Sequence, residues 1–154
     1  FAEDLFLLAS SSHPLAAHET IPLRNLDQVP LLLPPMGSAL RKVLERAAAA
    51  ADITLRAQAE IDGVRLLASL AFDGFGAAVV PATAVPNWLT GSFRMISVPE
   101  LPRRVVAFVR RRRPGPNAPT QATLEVLQAL IAERGQLQAG VHPGTSAINP
   151  LRTD

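Results

Sequence analysis

Residues 54–81 constrain this chain most. The alternating run Thr54-Leu55-Arg56-Ala57-Gln58-Ala59-Glu60-Ile61 predicts a strand. Asp62 and Gly63 follow, then a mostly apolar helix-forming stretch, a Gly74-Phe75-Gly76 turn, and the run Ala77-Ala78-Val79-Val80 stopped by Pro81. Strand, helix, glycine turn and strand make one βαβ unit, with a right-handed crossover and two parallel strands. In such a unit the helix begins at the carboxyl end of the first strand. Its unpaired N–H groups suit an anion there, and open α/β sheets keep their ligand crevice at that edge. Asp62 is the expected N-cap. If its carboxylate caps its own helix it occupies the anion position, and a neutral or amine-bearing ligand fits better. Val64, Leu66, Leu67, Leu70, Ala71 and Phe72 spread around the helix and predict burial on nearly every side.

Composition then excludes several function classes. A chain of 154 residues, 48% hydrophobic and 18% charged, is long and apolar enough for a folded α/β core. Fifteen Lys and Arg against 13 Asp and Glu leave a net charge of +2, too weak a field for a dedicated nucleic-acid binder. With no cysteine, disulfides, thiolate metal sites and a cysteine nucleophile are excluded. The apolar runs are too short to cross a bilayer, and the opening FAEDLFLLASSSHPLA lacks a basic n-region, so the expected compartment is the cytoplasm with no membrane partner. His13, His18 and His142 have no metal-ligand spacing. Ser10-Ser11-Ser12-His13 is too local for a hydrolytic triad, no GxSxG is present, and the GFG turn follows its helix where a dinucleotide fingerprint would precede it. The expectation is no metal, no cofactor and no enzyme.

In chain order, residues 5–9 and 29–33 are continuous apolar runs, the pattern of strands buried on both faces. His13 reads as a turn residue beside Pro14, and 23–26 as a short turn. Pro34-Pro35-Met36-Gly37-Ser38 forms a stiff loop before a helix over 39–51. Its apolar stripe is Leu40, Val43, Leu44, Ala47, Ala48 and Ala51, with Arg41, Lys42, Glu45 and Arg46 on the outer face. Residues 93–98 and 105–109 predict two strands joined by the Pro99-Glu100-Leu101-Pro102 turn into a hairpin-like pair ended by Arg110–Arg113, a solvated strand end or else a contact to another subunit or to a DNA backbone. A last helix over 119–134 carries Leu124, Leu127, Leu130 and Ile131 on one side, with Asn117 or Thr120 as cap and Gly135 as its stop. The remainder, without period and rich in Gly, Pro, Ser and Thr, predicts a mobile tail.

Several of these pieces together resemble one family. They are Glu3-Asp4-Leu5 through His13-Pro14-Leu15, the Pro35-Met36-Gly37-Ser38 loop opening a helix, the GFGAAVVP segment at 74–81, and two strands with an arginine-rich end before a final helix. Their order and spacing resemble the C-terminal part of the effector-binding domain of LysR-type transcriptional regulators. The resemblance implies an α/β fold of the type II periplasmic-binding-protein kind: a lobe with a mixed sheet flanked by helices, plus the returning strands and C-terminal helix of the other lobe. It divides the chain into a crossover strand at 1–12, a second effector-binding subdomain at 13–86, a return segment completing the first subdomain at 87–135, and a flexible tail at 136–154. It implies a small-molecule effector in the inter-lobe cleft, against Pro35, Met36, Gly37, Ser38, Ile61, Asp62 and Gly63. Read from the residues alone, Met36-Gly37-Ser38 is more simply a helix start with Ser38 as N-cap, and the resemblance brings the two readings level. The implied partners are the effector and a second copy of the chain. DNA would be reached only through a winged helix-turn-helix that this sequence does not contain, which reads as a fragment or truncation. Two alternatives stay open: a solute-binding protein of a transport system with the same fold, marked by an export signal, and an enzyme on a similar two-lobe fold, marked by convergent acid and base residues.

Overall fold

A computed structural model of the chain describes residues 1–109, 113 and 115–144. Its strands are β1 (Ala2–Glu3), β2 (Leu5–Ser10), β3 (Pro30–Leu33), β4 (Arg56–Glu60), β5 (Ala77–Pro81), β6 (Phe93–Ser97), β7 (Arg104–Val105) and β8 (Val141–His142). The helices are α1 (Ala39–Ala50), α2 (Val64–Phe72) and α3 (Ala118–Arg134). Two sheets result, one five-stranded in the order β4-β3-β5-β2-β6 and one three-stranded in the order β7-β1-β8. The larger sheet is mixed: β3 pairs in parallel with β4 and β5, whereas β2 is antiparallel to β5 and β6.

The continuous apolar runs form the middle of the large sheet because both of its faces are covered. Leu5, Leu7, Leu31, Leu33, Ala77 and Val79 pack with Leu40, Leu44 and Ala48 of α1. The alternate residues Leu8, Leu32, Ala78 and Val80 pack with Leu67, Ala68 and Ala71 of α2. The α1 stripe is therefore spent inside the core. The two strands of the βαβ unit are parallel as expected, with β3 lying between them. His13 holds its turn: its Nδ1 accepts from Leu15 N–H at 3.2 Å ahead of the 3-10 turn Pro14–Ala17. Burial lowers its pKa from the ordinary imidazole value, which keeps that nitrogen free to accept.

Two expectations change, and the two ends of α3 are resolved. The α2 helix is buried on one face only, with Leu66 53% exposed and Arg65 and Ser69 outward, because nothing among the described residues covers its outer side. Residues 93–98 and 105–109 do not form a hairpin. β6 pairs with β2 and β7 with β1, in different sheets, and the second strand is only Arg104–Val105, with Val109 exposed. Asn117, not Thr120, caps α3, its Oδ1 accepting from Thr120 N–H at 3.0 Å. Gly135 is the C-cap at which α3 ends, as expected, but not in a left-handed turn. It stays right-handed at φ −60° and leads into a 3-10 turn, Gly135–Leu137. Beyond that turn, within the stretch expected as a tail without structure, β8 pairs with β1. Arg113 is exposed, while Arg110–Arg112 and residues 145–154 lie outside the described residues.

The two sheets meet where the chain crosses from β1 to β2, with only Asp4 between them. Glu3, fully buried, accepts from Thr83 N–H at 3.0 Å and Thr83 Oγ1 at 2.7 Å through one oxygen, and from Arg104 Nε at 2.7 Å through the other. Asp4 faces Arg103 Nε and His142 Nε2, each at 2.9 Å. Desolvation pushes the Asp4 carboxyl up. Hydrogen bonds from His142 and Arg103, with their charges, outweigh it and hold the group below the ordinary carboxylate value.

This packing sets two expected outcomes. Leu44→Asp places a carboxylate where the native side chain is 1% exposed, and should abolish the cooperative unfolding transition seen by circular dichroism. Because the folded-state pKa of Asp4 is depressed, its contribution is present above the ordinary carboxylate pKa and disappears as pH falls through the lowered value. Asp4→Asn should therefore flatten the acid limb of a stability-versus-pH curve from chemical denaturation.

Candidate functional site

Strand register brings the expected site residues to one edge of the large sheet. Leu33, the last residue of β3, lies opposite Glu60, the last of β4. Parallel neighbours lie about 4.8 Å apart, so the loops at 34–38 and 61–63 leave side by side. Ile61 N–H donates to the Leu33 carbonyl at 2.9 Å and ties the second loop to the root of the first. β5 runs parallel to β3 and ends at Pro81, opposite Leu5 at the start of β2. The edge that carries both loops is thus also the edge at which the chain crosses to the small sheet.

Within the first loop, Ser38 N–H donates to the Pro35 carbonyl at 3.1 Å and closes a turn with Gly37 at φ +85°. Met36 stands out at 65% exposure. Ser38 is the N-cap of α1, its Oγ accepting from Arg41 N–H at 3.3 Å. In the second loop Asp62 is not the cap. Gly63 is, at φ +93°, and no side chain bonds to the α2 N-terminus. That backbone conformation suits glycine, and the turn it makes leaves the Asp62 carboxylate exposed, one position outside the cap. Neither helix has an acidic residue in its first turn, so both N-terminal ends present N–H donors at this edge without a local carboxylate on the helix itself.

The residue missed by sequence reasoning is Arg41, placed on the outer face of α1 and found 6% exposed. Its Nη1 donates to the Pro34 carbonyl at 3.2 Å and approaches Glu60 Oε1 at 3.5 Å, while Nε bonds Glu45. It therefore joins the root of the first loop to the end of β4, immediately before the second. Its only sequence signal is the i,i+4 spacing to Glu45 beside the apolar stripe. No group of three or more His, Asp or Glu that could hold a metal occurs among the described residues. No helix among them is long and apolar enough to cross a membrane. An open groove of about 720 Å³ lies elsewhere, between α3 and the segment after β5, lined by Leu127, Leu130, Ile131, Pro86 and Leu137 among others. None of the seven loop residues lines it.

A mixed sheet with helices on both faces, parallel strand ends at one edge and a second small sheet joined there is a lobe arrangement of the type II periplasmic-binding-protein fold. The chain belongs to the LysR substrate binding domain family, whose model matches residues 1–132. Among solved structures it is similar to the effector binding domain of QuiR in complex with shikimate, at 16% identity and a TM-score of 0.67 over 80% of this chain and 59% of that one. It is also similar to the Synechocystis PCC6803 CcmR regulatory domain in complex with 2-PG, at 19% identity and TM-score 0.66 over 84% and 64%. Reduced OxyR is similar at 24% identity and TM-score 0.58 over 87% and 62%. At these identities the likeness is one of fold. The chain spans less than two thirds of the length of each of these structures. No curated protein sequence matches it.

Removing Arg41 should loosen both loops together. Arg41→Met, with no donor for the Pro34 carbonyl or Glu60, should speed amide exchange at Ser38 and Ile61 about five- to tenfold while the melting curve keeps its single transition, as read by hydrogen-exchange mass spectrometry.

Proposed function

We propose that the chain is the effector-sensing part of a LysR-type transcriptional regulator and binds a small anionic metabolite, not as an enzyme but as a sensor. The observation that carries this reading is the convergence of loops 34–38 and 61–63, and of two helix N-termini free of acidic first turns, on one sheet edge. Because Asp62 does not cap α2, its carboxylate does not fill the anion position, and a carboxylate or phosphate ligand is favoured over an amine. Pro35, Met36, Gly37, Ser38, Ile61, Asp62 and Gly63 form the ligand wall contributed by this lobe. Shikimate and 2-PG, the ligands of the QuiR and CcmR domains, are both acids and support the same charge preference.

In this reading residues 13–86 are the second subdomain, 1–12 cross between lobes, 87–135 return to the first, and the effector lies in the cleft between them. It acts by binding one relative placement of the lobes more tightly than the other, since a ligand with equal affinity for both shifts nothing. DNA is contacted through a winged helix-turn-helix outside this sequence, in the cytoplasm, by a homodimer or larger assembly. The α3 face, with Val126, Leu127 and Leu130 exposed, is the apolar surface that such association would cover. The α1 stripe, already buried, is not available for it.

Nothing lies within 4 Å of a Cβ built at Gly37, so a large side chain there fills the crevice mouth without striking the core. Its positive φ costs a side chain about 1–2 kcal/mol, leaving the fold intact. Calorimetry with shikimate, 2-phosphoglycolate and a panel of small carboxylic acids should find an acid that binds the parent chain and at least tenfold weaker binding to Gly37→Trp. Binding unchanged by the substitution would remove the loop from the site.

A further inference from the structure

The matched family region ends at residue 132, and the chain beyond it is built into the junction of the two sheets. β8 adds itself to the free edge of β1, with Glu3 opposite Val141 and Ala2 opposite His142. Asp4 N–H donates to the Gly140 carbonyl at 2.7 Å, and the Asp4 carboxylate meets His142 Nε2. On the other side of the junction, the Gln138 amide donates to the carbonyls of Ala82 at 3.2 Å and Val85 at 2.9 Å, just beyond β5. Gly140 lies against the Phe6 ring of β2 so closely that a Cβ there would come 2.5 Å from it. One short segment therefore holds β1 of the small sheet, β2 of the large sheet and the segment that follows β5 at once.

We propose that residues 135–144 are a strap that fixes the angle between the two sheets, so that its release changes the lobe placement an effector would select. The first half concerns the chain alone; the second rests on the effector reading. The strap is suited to this work by where its bonds fall. Asp4 is the only residue between β1 and β2, so the rotation of one sheet against the other passes through it, and the strap bonds both its amide and its side chain. Glu3, bonded to Thr83 and Arg104, holds the same junction from within. The strap closes it from outside. Its anchors are the β8–β1 pairing, the His142–Asp4 contact, the Gln138 bonds to two backbone carbonyls and a glycine contact, which a small change in strap register would break together.

The test uses the full chain, which has no cysteine of its own. Lys42→Cys on α1 and Val105→Cys on β7, both exposed, carry spin labels across the junction, diluted in unlabelled chain so that intrachain distances are read without ligand. The labelled parent should give one narrow distance distribution. Gly140→Val, which strikes the Phe6 ring, should shift or broaden it, and Gln138→Ala should do so to a lesser degree while leaving the circular-dichroism melt cooperative. If Gly140→Val does not fold, Gln138→Ala alone decides. Amide exchange at Asp4 should quicken about five- to tenfold in the same variant. Distributions that superimpose on the parent's, with unchanged Asp4 exchange, overturn the strap whatever the chain binds. A released strap in a chain that binds no acid would leave it standing and defeat only the effector reading.

Discussion

Leu33 and Glu60 end two neighbouring strands that run the same way, and the bond from Ile61 N–H to the Leu33 carbonyl keeps those ends level. Everything proposed for this lobe depends on that pairing. A parallel pair cannot be closed by a hairpin, so the chain must return across the sheet through a helix. α1 does this between β3 and β4, and α2 between β4 and β5. Each return puts a loop and a helix start at the same edge. Slipping β4 by one residue against β3 would break the Ile61 bond and move Glu60 out of reach of Arg41, separating the two loops.

Much of this was legible because two-sided burial writes itself plainly. β2, β3 and β5 appear as unbroken apolar runs, and α1 as a stripe at helical spacing, since Leu7 and Leu8, or Leu31 and Leu32, must satisfy opposite layers at once. The loops could be located for the same reason, as the segments directly after such runs. The features that stayed hidden depend on partners far along the chain. Arg41 looks like an outer-face residue until the Pro34 carbonyl, seven positions back, and Glu60, nineteen ahead, close around it. Residues 93–98 and 105–109 look like a hairpin because only the distant β1 and β2 draw them into different sheets. Asp62 has the chemistry of a cap but not the place, which the backbone of Gly63 decides. β8 is two residues in a polar stretch and has no period to read.

α3 stands apart from this tightly packed body. None of its side chains is buried among the described residues, so local features hold it: the Asn117 cap, Pro119 in its first turn, and the Gln121–Glu125 hydrogen bond at 2.9 Å. Such features add tenths to about one kcal/mol each, far less than tertiary packing gives an ordinary helix. The helix is thus the part of the structure held least by tertiary packing.

A joint with a one-residue spacer has no slack. A long linker would absorb a tilt between the two sheets over many soft dihedrals, and β2 would feel none of it. Here φ and ψ of Asp4 must take the whole tilt, and β2 hydrogen-bonds to its neighbours on both sides directly after that residue. The crossover is an axle keyed into an interior strand of the large sheet, so torque applied at the small sheet arrives among the strands themselves, not at a loose end.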